Sequence, residues 1–220
     1  VEITGEDGIQ NNFLNVGDNV SVTVTFSENS PVTGTPQLTL AVGDDNRTAD
    51  YTSSGSGDTT KVFKYTIQAG DNDANGISIR ANALALDNGT IMDLAENNAI
   101  LTHSVVDNNS SYKVDTTPPS VDNFTISDTE FKIGDNATVT LVFSEVVCGA
   151  SSGCSLSQTG GTDFSNADIT ISNLDNGTPS GTLSTMTSSD NETWIGTFTP
   201  TPNTEDDSNT LSLATTYTDL

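Results

Sequence analysis

The sequence predicts an all-β protein that consists of two tandem antiparallel β-sandwich domains. Three observations support this prediction. Apolar residues alternate with polar ones along each periodic segment, clusters of Gly, Asp and Asn separate these segments, and one strand-like motif occurs twice, 117 residues apart. Alternation with period two is typical of half-buried antiparallel strands, and several short strands within about 100 residues are typical of a β-sandwich.

The first strand motif, VSVTVTF at residues 20–26, has its valines and its Phe on one face and Ser and Thr on the other. Turn clusters at 43–46, 53–58, 71–76 and 87–89 separate the strands, and only residues 91–98 could hold a helical turn. We expect the inward-facing side chains of the strands to form the cores: Val20, Val22, Val24, Phe26, Phe63, Tyr65 and Ile67 in the first domain, and Ala137, Val139, Leu141, Phe143, Trp194 and Phe198 in the second.

An internal repeat gives the domain organisation. Residues 16–28 read VGDNVSVTVTFSE and residues 133–145 read IGDNATVTLVFSE. Between the copies lies DTTPP at residues 115–119, where two prolines favour an extended and fairly stiff connection. The domains are therefore predicted to span residues 1–117 and 118–220.

The end of the second domain is predicted to be shorter than that of the first. Ile77-Ser78-Ile79 matches Leu211-Ser212-Leu213, and Met92-Asp93-Leu94 matches Thr218-Asp219-Leu220. The second domain would then lack the counterpart of the first domain's last strand, expected around residues 99–106. A missing strand would leave an unpaired sheet edge, open to pairing with a neighbouring chain.

The charge balance excludes several classes of function. The chain has 30 Asp and Glu against 6 Lys and Arg, and no Lys or Arg follows Lys132. A nucleic-acid binder needs clustered basic residues, and the same acidity argues against docking on anionic membranes. A single His argues against most His-based catalysis, and the sequence has no constellation of catalytic residues, so we predict that the protein is not an enzyme.

The acidic residues have two interpretations, solvation alone or solvation together with Ca²⁺ binding, since Ca²⁺ takes six to eight oxygen ligands. The strongest candidate is the loop DNDANG at residues 71–76, where Asp71, Asp73 and Asn75 supply oxygens at alternate positions. Asp206 and Asp207 lie in the corresponding loop of the second domain. A plain polar hairpin is the alternative for this loop.

A second candidate calcium site combines acids at strand ends. Glu28 and Glu145 each end the repeated strand motif, Asp93 and Asp219 lie near late turns, and Asp115 lies in the linker. Acids at strand ends of a sandwich are expected to gather at one pole, where a cation would stiffen the joint to the next domain. The alternative is that these are solvated or turn-capping acids.

The two cysteines, Cys148 and Cys154, flank a short Gly- and Ser-rich insertion. In a secreted protein they are expected to form a small disulfide, which would stabilise the domain by roughly 2 kcal/mol. The alternative is two reduced thiols. Zinc is not expected, because two thiols are too few ligands.

These motifs resemble a known family. VGDNVSVTVTFSE, TPQLTLAVGD, YTIQAGDNDANGISI and ANALALDNG of the first domain resemble the bacterial Ig-like repeats of large repetitive surface adhesins of the RTX and biofilm type. DTTPPSVDNFTISD, KIGDNATVTLVFSEVV, WIGTFTPT and TLSLATTYTDL of the second domain look like a related repeat. The resemblance implies two tandem Ig-like antiparallel β-sandwiches on the extracellular surface of a bacterium.

The function implied by the resemblance is structural. Such repeats extend adhesive domains away from the cell, contact neighbouring repeats of the same chain, and often bind Ca²⁺ near their junctions. Carried over to this sequence, the calcium ligands would be Glu28, Asp93, Asp115, Glu145 and Asp219. The alternative function is a subunit of a self-assembling extracellular fibre or surface layer, completed by a strand from an identical neighbouring chain. Neither function involves nucleic acid or direct membrane insertion.

Overall fold

The computed structural model describes residues 1–10, 12–54, 59–132, 134–149, 163–174, 178–205, 209–215 and 217. Within these residues the regular structure consists of β-strands and one short 3-10 helix, so the all-β prediction is confirmed. The chain divides into two compact units, Val1–Thr117 (unit 1) and Pro118–Leu220 (unit 2).

The strands described in unit 1 are β1 (Glu2–Asp7), β2 (Phe13–Leu14), β3 (Asn19–Thr25), β4 (Val32–Thr33), β5 (Gln37–Val42), β6 (Asp45–Ser54), β7 (Thr60–Thr66), β8 (Leu84–Ala85), β9 (Thr90–Ile91) and β10 (Lys113–Val114). Six of them form an antiparallel sheet in the order β1-β3-β7-β6-β5-β8. The others form two small pairs, β4 antiparallel to β9 and β10 parallel to β2.

The core of unit 1 is built from the predicted alternating faces. Val20 and Val22 of β3 and Phe63 of β7 are completely buried, while the Ser and Thr residues between the valines are half-buried or exposed. Burying one such side chain contributes about 1.5–3 kcal/mol. The hydrophobic effect on these two central strands therefore fixes their register, since a slip by one residue would turn every valine of β3 outward.

The first and last residues of unit 1 lie at opposite ends of its central strand. Glu2 in β1 pairs with Thr23 near the end of β3. Asp115, which follows β10, donates its backbone N–H to the carbonyl of Leu14 (3.0 Å), just before β3 begins. The seven residues of β3 span about 20 Å at roughly 3.3 Å per residue. The chain thus enters unit 1 at one end and leaves it at the other.

The elements described in unit 2 are β11 (Val121–Ile126), β12 (Ala137–Phe143), a 3-10 helix (Asn166–Asp168), β13 (Ile169–Asn173), β14 (Gly181–Leu183), β15 (Thr193–Pro200) and β16 (Asn209–Leu213). Four strands form one antiparallel sheet in the order β11-β12-β15-β14, and β13 pairs with β16 in a second. The predicted inward face of β12 is buried throughout.

The core of unit 2 is centred on aromatic rings. Trp194 is 1% exposed and meets Phe164 edge-to-face, with ring centroids 4.9 Å apart, and Phe164 meets Phe143 in the same way at 5.6 Å. Such pairs contribute about 0.5–1.5 kcal/mol beyond the area that they bury. Gly149 packs directly against the indole, where a Cβ would overlap the ring. The prediction that Trp194 is a core residue is confirmed.

The repeated GDN motif forms the same turn in both units. A backbone N–H donates to the Asp carboxylate three residues later, from Asn15 to Asp18 (2.8 Å) in unit 1 and from Lys132 to Asp135 (2.9 Å) in unit 2. The Gly of the motif has a φ of +93° in one copy and +91° in the other, a conformation that favours glycine. The motif is therefore a turn signal that starts the central strand.

Two segments of unit 1 differ from the sequence-based expectation. Residues 99–106 do not form the predicted regular strand; Val106 makes an isolated bridge to Ile79, and regular pairing begins only at β10. The segment instead bonds to a turn through His103, whose carbonyl accepts from the N–H of Asn82 (3.3 Å) and whose Nε2 accepts from the N–H of Ala83 (2.9 Å). Residues 91–98 form a turn closed by a bridge between Met92 and Asn98, not a helix.

Candidate metal centres

The acidic loop after β7 contains a buried ion pair. Asp71 is 1% exposed, and its carboxylate accepts hydrogen bonds from the Arg47 guanidinium Nε, the Tyr65 hydroxyl and the backbone N–H of Gln68 (2.9 Å). Arg47 also pairs with Asp45 at 3.0 Å. All three donors favour the ionised carboxylate, so both oxygens of Asp71 are held by groups of the protein itself.

The pKa values of this cluster follow from its geometry. Burial disfavours ionisation of Asp71, but the hydrogen bonds from Gln68, Tyr65 and Arg47 outweigh it and hold the pKa of the carboxyl below its ordinary value. Burial, and then the hydrogen bond to Asp71, raise the pKa of the Tyr65 hydroxyl. The hydrogen bond to Asp71 raises the pKa of Arg47. The cluster is therefore an ionised pair with a neutral tyrosine over the whole physiological range.

Asp73, the second acid of the loop, organises the backbone. It is 4% exposed, and its carboxylate accepts from the backbone N–H groups of Gly43 (2.8 Å), Asn75 (3.2 Å) and Gly76 (2.8 Å). Asn75 itself is exposed. The two carboxylates of DNDANG are thus buried against protein donors, which is the arrangement of a structural loop.

Glu28 and Asp93 lie at the end of unit 1 where β3 finishes. Glu28 is exposed and lies three residues beyond β3. Three residues further along, the carbonyl of Pro31 accepts from the N–H of Met92 (3.2 Å), and this bond links the segment to the turn at Asp93. The Asp93 carboxylate accepts from the side chain and backbone of Asn97 and from a second backbone N–H, and these bonds lower its pKa.

Asn29 adds an unusual oxygen to this end of the unit. Its Oδ1 is buried and accepts no hydrogen bond from any residue that the structure describes. Buried carbonyl oxygens are normally paired, and an unpaired one costs about 1–3 kcal/mol. Glu28, Asn29 and Asp93 carry carboxylate and amide oxygens, the ligand type that Ca²⁺ takes.

Asp115 does not share that end. Its backbone bonds to Leu14, its carboxylate accepts from the N–H of Thr117 (3.0 Å), and the neighbouring Thr116 hydroxyl donates to the carbonyl of Asp71 (3.0 Å). Asp115 therefore lies beside the DNDANG loop, about the length of β3 away from Glu28. Within unit 1 the structure does not bring the three predicted acids together.

The predicted residues of unit 2 are described in part. Glu145 is half-buried just after β12, next to Ser144, whose N–H donates to the carbonyl of Ser120 (2.8 Å). Asp206, Asp207 and Asp219 lie outside the described residues. In the part of the chain that the structure describes, no group of three or more His, Cys, Asp or Glu side chains is arranged to hold a metal ion.

Cys148 is buried and disulfide-bonded, and its expected partner Cys154 lies outside the described residues. The buried position beside Val147 and Gly149 places this bond at the edge of the aromatic core.

Sequence reasoning did not identify Arg47 and Tyr65 as the partners of Asp71. The signal available was that Arg47 is one of only six basic residues and lies in an otherwise acidic hairpin, residues 44–47. Its contact with Asp71, 24 positions away, depends on how the β5–β6 hairpin packs beside the loop, which the sequence alone does not reveal.

No helix among the described residues has the length and apolar character needed to span a membrane. Residues 115–220 match the family model of the bacterial Ig-like domain. No curated protein matches the chain significantly. The resemblance of residues 1–117 to the same kind of repeat, and the assignment to surface adhesins, stay predictions.

Proposed function

Starting from the bacterial Ig-like domain at residues 115–220, we propose that this protein is a non-enzymatic extender segment of a bacterial surface adhesin. The observation that supports this role best is the pairing of β10 with β2 in unit 1. A unit entered at one end and left at the other adds its own length to a chain of units, as a stalk requires.

The β2–β10 pair also suits a unit that carries tension. The two strands are parallel, one near the beginning of the unit and one at its end, and Asp115 extends the pair by its bond to Leu14. Pulling the ends of the unit apart loads these hydrogen bonds in shear, so that they must break together and not one after another. This arrangement favours mechanical resistance.

Single-molecule pulling on the full chain tests the proposal. Asp115→Pro removes the N–H that bonds to Leu14, and we expect it to lower the unfolding force of unit 1, which releases a contour length of about 400 Å. Asp115→Ala keeps the N–H and is the matched control. Its unit 1 should unfold at the same force as in the unmodified chain. Equal forces for the Pro variant and the unmodified chain would contradict the shear role of this pair.

We further propose that Ca²⁺ binds at the Glu28 end of unit 1. Glu28, Asn29 and Asp93 would hold the ion, which would supply positive charge to neighbouring acidic side chains and satisfy the Asn29 oxygen. Glu145 is the corresponding candidate in unit 2, because it ends the second copy of the strand motif. The extracellular location that this proposal assumes agrees with the disulfide at Cys148, since disulfides persist in oxidising compartments.

Thermal unfolding with Ca²⁺ and after chelation tests the calcium proposal. A ligand at 100 times its Kd adds about 2.7 kcal/mol, which raises the midpoint of a domain of this size by roughly 10 °C. Glu28→Gln should reduce this rise, whereas Asp44→Asn, an exposed acid near the Asp73 loop, should leave it unchanged. The calcium proposal fails if chelation changes the unfolding midpoint of neither unit, or if Ca²⁺ raises the midpoint of the two variants equally.

A second candidate function is a subunit of an extracellular fibre or surface layer. It is favoured by the edge of β16 in unit 2, which has no further strand beside it among the described residues. A particle size that grows with protein concentration would favour the fibre over the extender.

A further inference from the structure

The last residues of unit 1, 113–117, lie between two other segments, and we call them the exit segment. On one side, β10 pairs in parallel with β2, and Asp115 adds its bond to the carbonyl of Leu14. On the other side lies the DNDANG loop, where Asp73 and Val114 exchange two backbone hydrogen bonds (2.7 and 3.0 Å). The exit segment is therefore held from both sides, and not only by the pairing of β10 with β2.

Thr116 bonds to the loop through both its backbone and its side chain. Its N–H donates to Asn72 Oδ1 (2.9 Å), and its hydroxyl donates to the carbonyl of Asp71 (3.0 Å). The same hydroxyl oxygen accepts from the N–H of Gly70 (3.0 Å), the residue before the loop. Thr116 is half-buried, whereas the next residue, Thr117, is exposed. The chain thus stays bonded to the loop up to Thr116.

The acidic side chains of the loop bind a different partner, the β5–β6 hairpin. The Asp71 carboxylate accepts from the Arg47 guanidinium on β6, and the Asp73 carboxylate accepts from the N–H of Gly43 in the hairpin turn (2.8 Å). Both aspartates are buried, whereas Asn72 between them is exposed. Each aspartate therefore bonds to the hairpin through its side chain and to the exit segment through its backbone.

Close backbone contacts leave the loop little room to shift. A Cβ on Gly43 would overlap the carbonyl oxygen of Asn72, and a Cβ on Gly76 would overlap the carbonyl oxygen of Asn109. The loop is thus packed against its neighbours at both of its ends. Its position, and with it the position of the atoms that bind the exit segment, is fixed by the rest of unit 1.

The ion pair connects the sheet to the exit segment through Asp71. The Arg47 guanidinium and the Tyr65 hydroxyl both donate to this buried carboxylate, and hydrogen bonds to charged groups are roughly twice as strong as neutral ones. The carbonyl of Asp71 accepts from Thr116. A change at Arg47 should therefore reach Thr116, although Arg47 has no hydrogen bond to the exit segment in the described part of the chain.

We infer that the DNDANG loop is a clamp that holds the exit segment in one conformation through bonds of the protein itself, and that the Arg47–Asp71 ion pair fixes the clamp in place. The direction in which the chain leaves unit 1 is then set without a metal ion. The inference rests on the extender function proposed above and deepens it, since a stalk needs a defined direction at the end of each unit. Ca²⁺ bound at Asp71, Asp73 and Asn75, as the sequence predicts, is the competing explanation.

Backbone order parameters from NMR relaxation of the isotope-labelled full chain test the clamp. We expect Val114, Asp115 and Thr116 to have values of about 0.85, like the central strand β3, both after chelation with EDTA and in excess Ca²⁺. Each of these three residues donates its N–H to a partner outside the exit segment. Values below about 0.6 in EDTA would overturn the inference, whether or not Ca²⁺ then raises them.

The double variant Asn72→Ala, Thr116→Val should release the end of the exit segment. It removes both side-chain partners at exposed or half-buried positions, so unit 1 should still fold. We expect the order parameter of residue 116 to fall below about 0.6, while β10 keeps its value because β2 still holds it. An unchanged value at residue 116 would overturn the inference.

Thr117→Val is the matched control for Thr116→Val. It makes the same chemical change one residue later, where the hydroxyl has no hydrogen bond to any residue that the structure describes. The order parameters of the exit segment should equal those of the unmodified chain. A fall as large as that of the double variant would show that any change near the linker loosens it, and would overturn the clamp.

A double-mutant cycle tests the role of the ion pair. Arg47→Gln and Thr116→Val should together lower the unfolding midpoint of unit 1 by less than the sum of their separate shifts, because both act on Asp71. Arg47→Gln with Thr117→Val should be additive. Additive shifts in both pairs would overturn the role of the ion pair.

The clamp and the extender function fail in different ways. An ordered exit segment in a chain whose unfolding force is unaffected by Asp115→Pro supports the clamp and refutes only the shear role. A high unfolding force with a disordered exit segment refutes the clamp and leaves the extender standing.

Discussion

Replacing Asp71 by Asn should destabilise unit 1 more than any other single change of an acid in the described part of the chain. The variant keeps the size of the side chain but removes its charge and turns one acceptor oxygen into an NH₂ group. Arg47, Tyr65 and the N–H of Gln68 all donate to this carboxylate. In the variant, at least one of these donors meets another donor.

The expected loss is about 3 kcal/mol. Removing one partner of a buried ion pair costs about 3–5 kcal/mol, and the lower end applies here because the side chain of Arg47 is 28% exposed and solvent screens it. With an unfolding entropy of about 2.1 cal/mol/K per residue, a unit of this length loses about 4 °C per kcal/mol. The midpoint of unit 1 should therefore fall by about 12 °C.

The assay separates the two units. Differential scanning calorimetry records both transitions, and the fluorescence of Trp194, the only Trp of the sequence, records unit 2. Asp44→Asn, in the same acidic hairpin as Arg47 but exposed, is the control and should change the midpoint by less than about 2 °C. A fall below 3 °C in the Asp71 variant, or an equal fall in the Trp194 signal, would refute this account of the cluster.

Three further predictions concern single contacts. Gly76→Ala should lower the free energy of unfolding of unit 1 by about 2–4 kcal/mol, measured by urea unfolding. The reason is that φ of residue 76 is +96° and a Cβ would overlap the carbonyl of Asn109. Unchanged stability would show that the loop relaxes around the added methyl group. The raised pKa of Tyr65 in the folded state stabilises unit 1 fully below the unfolded pKa of about 10, and this stability is lost as the pH rises above that value. Tyr65→Phe should therefore flatten the fall of the unit 1 unfolding midpoint at alkaline pH. An unaltered fall would exclude the Tyr65 hydroxyl as its cause. Reducing the disulfide at Cys148 should lower the free energy of unfolding of unit 2, followed by Trp194 fluorescence, by about 2 kcal/mol and leave unit 1 unaffected. If the reductant does not change the unfolding of unit 2, the bond does not stabilise it.

The sequence predicts the cores of this protein well because they depend on local periodicity. Val20, Val22 and Phe63 alternate with polar residues, and period-two burial follows directly from strand geometry. The GDN turn is equally local, since its Gly and its Asp act within three residues of each other.

The candidate metal site is less predictable because it depends on the direction in which strands run. Glu28 and Asp115 both follow strands, yet one follows the far end of β3 and the other lies near its start. Likewise, the spacing of Asp71 and Asp73 suggests a cation loop, but their oxygens bond to Arg47 and to backbone groups of distant segments. Such contacts are set by tertiary packing and leave no periodic trace in the sequence.

The pairing of β2 with β10 also affects the order in which unit 1 can be completed. Within unit 1, Phe13 and Leu14 leave the ribosome early, and their partners Lys113 and Val114 follow about 100 residues later. Contacts of such long separation form slowly, because closing a long loop costs chain entropy before any bond is gained. Until residue 115 has been synthesised, Leu14 has no strand to cover it. The nascent unit is therefore unfinished until the linker emerges, and translation itself delays the last folding step.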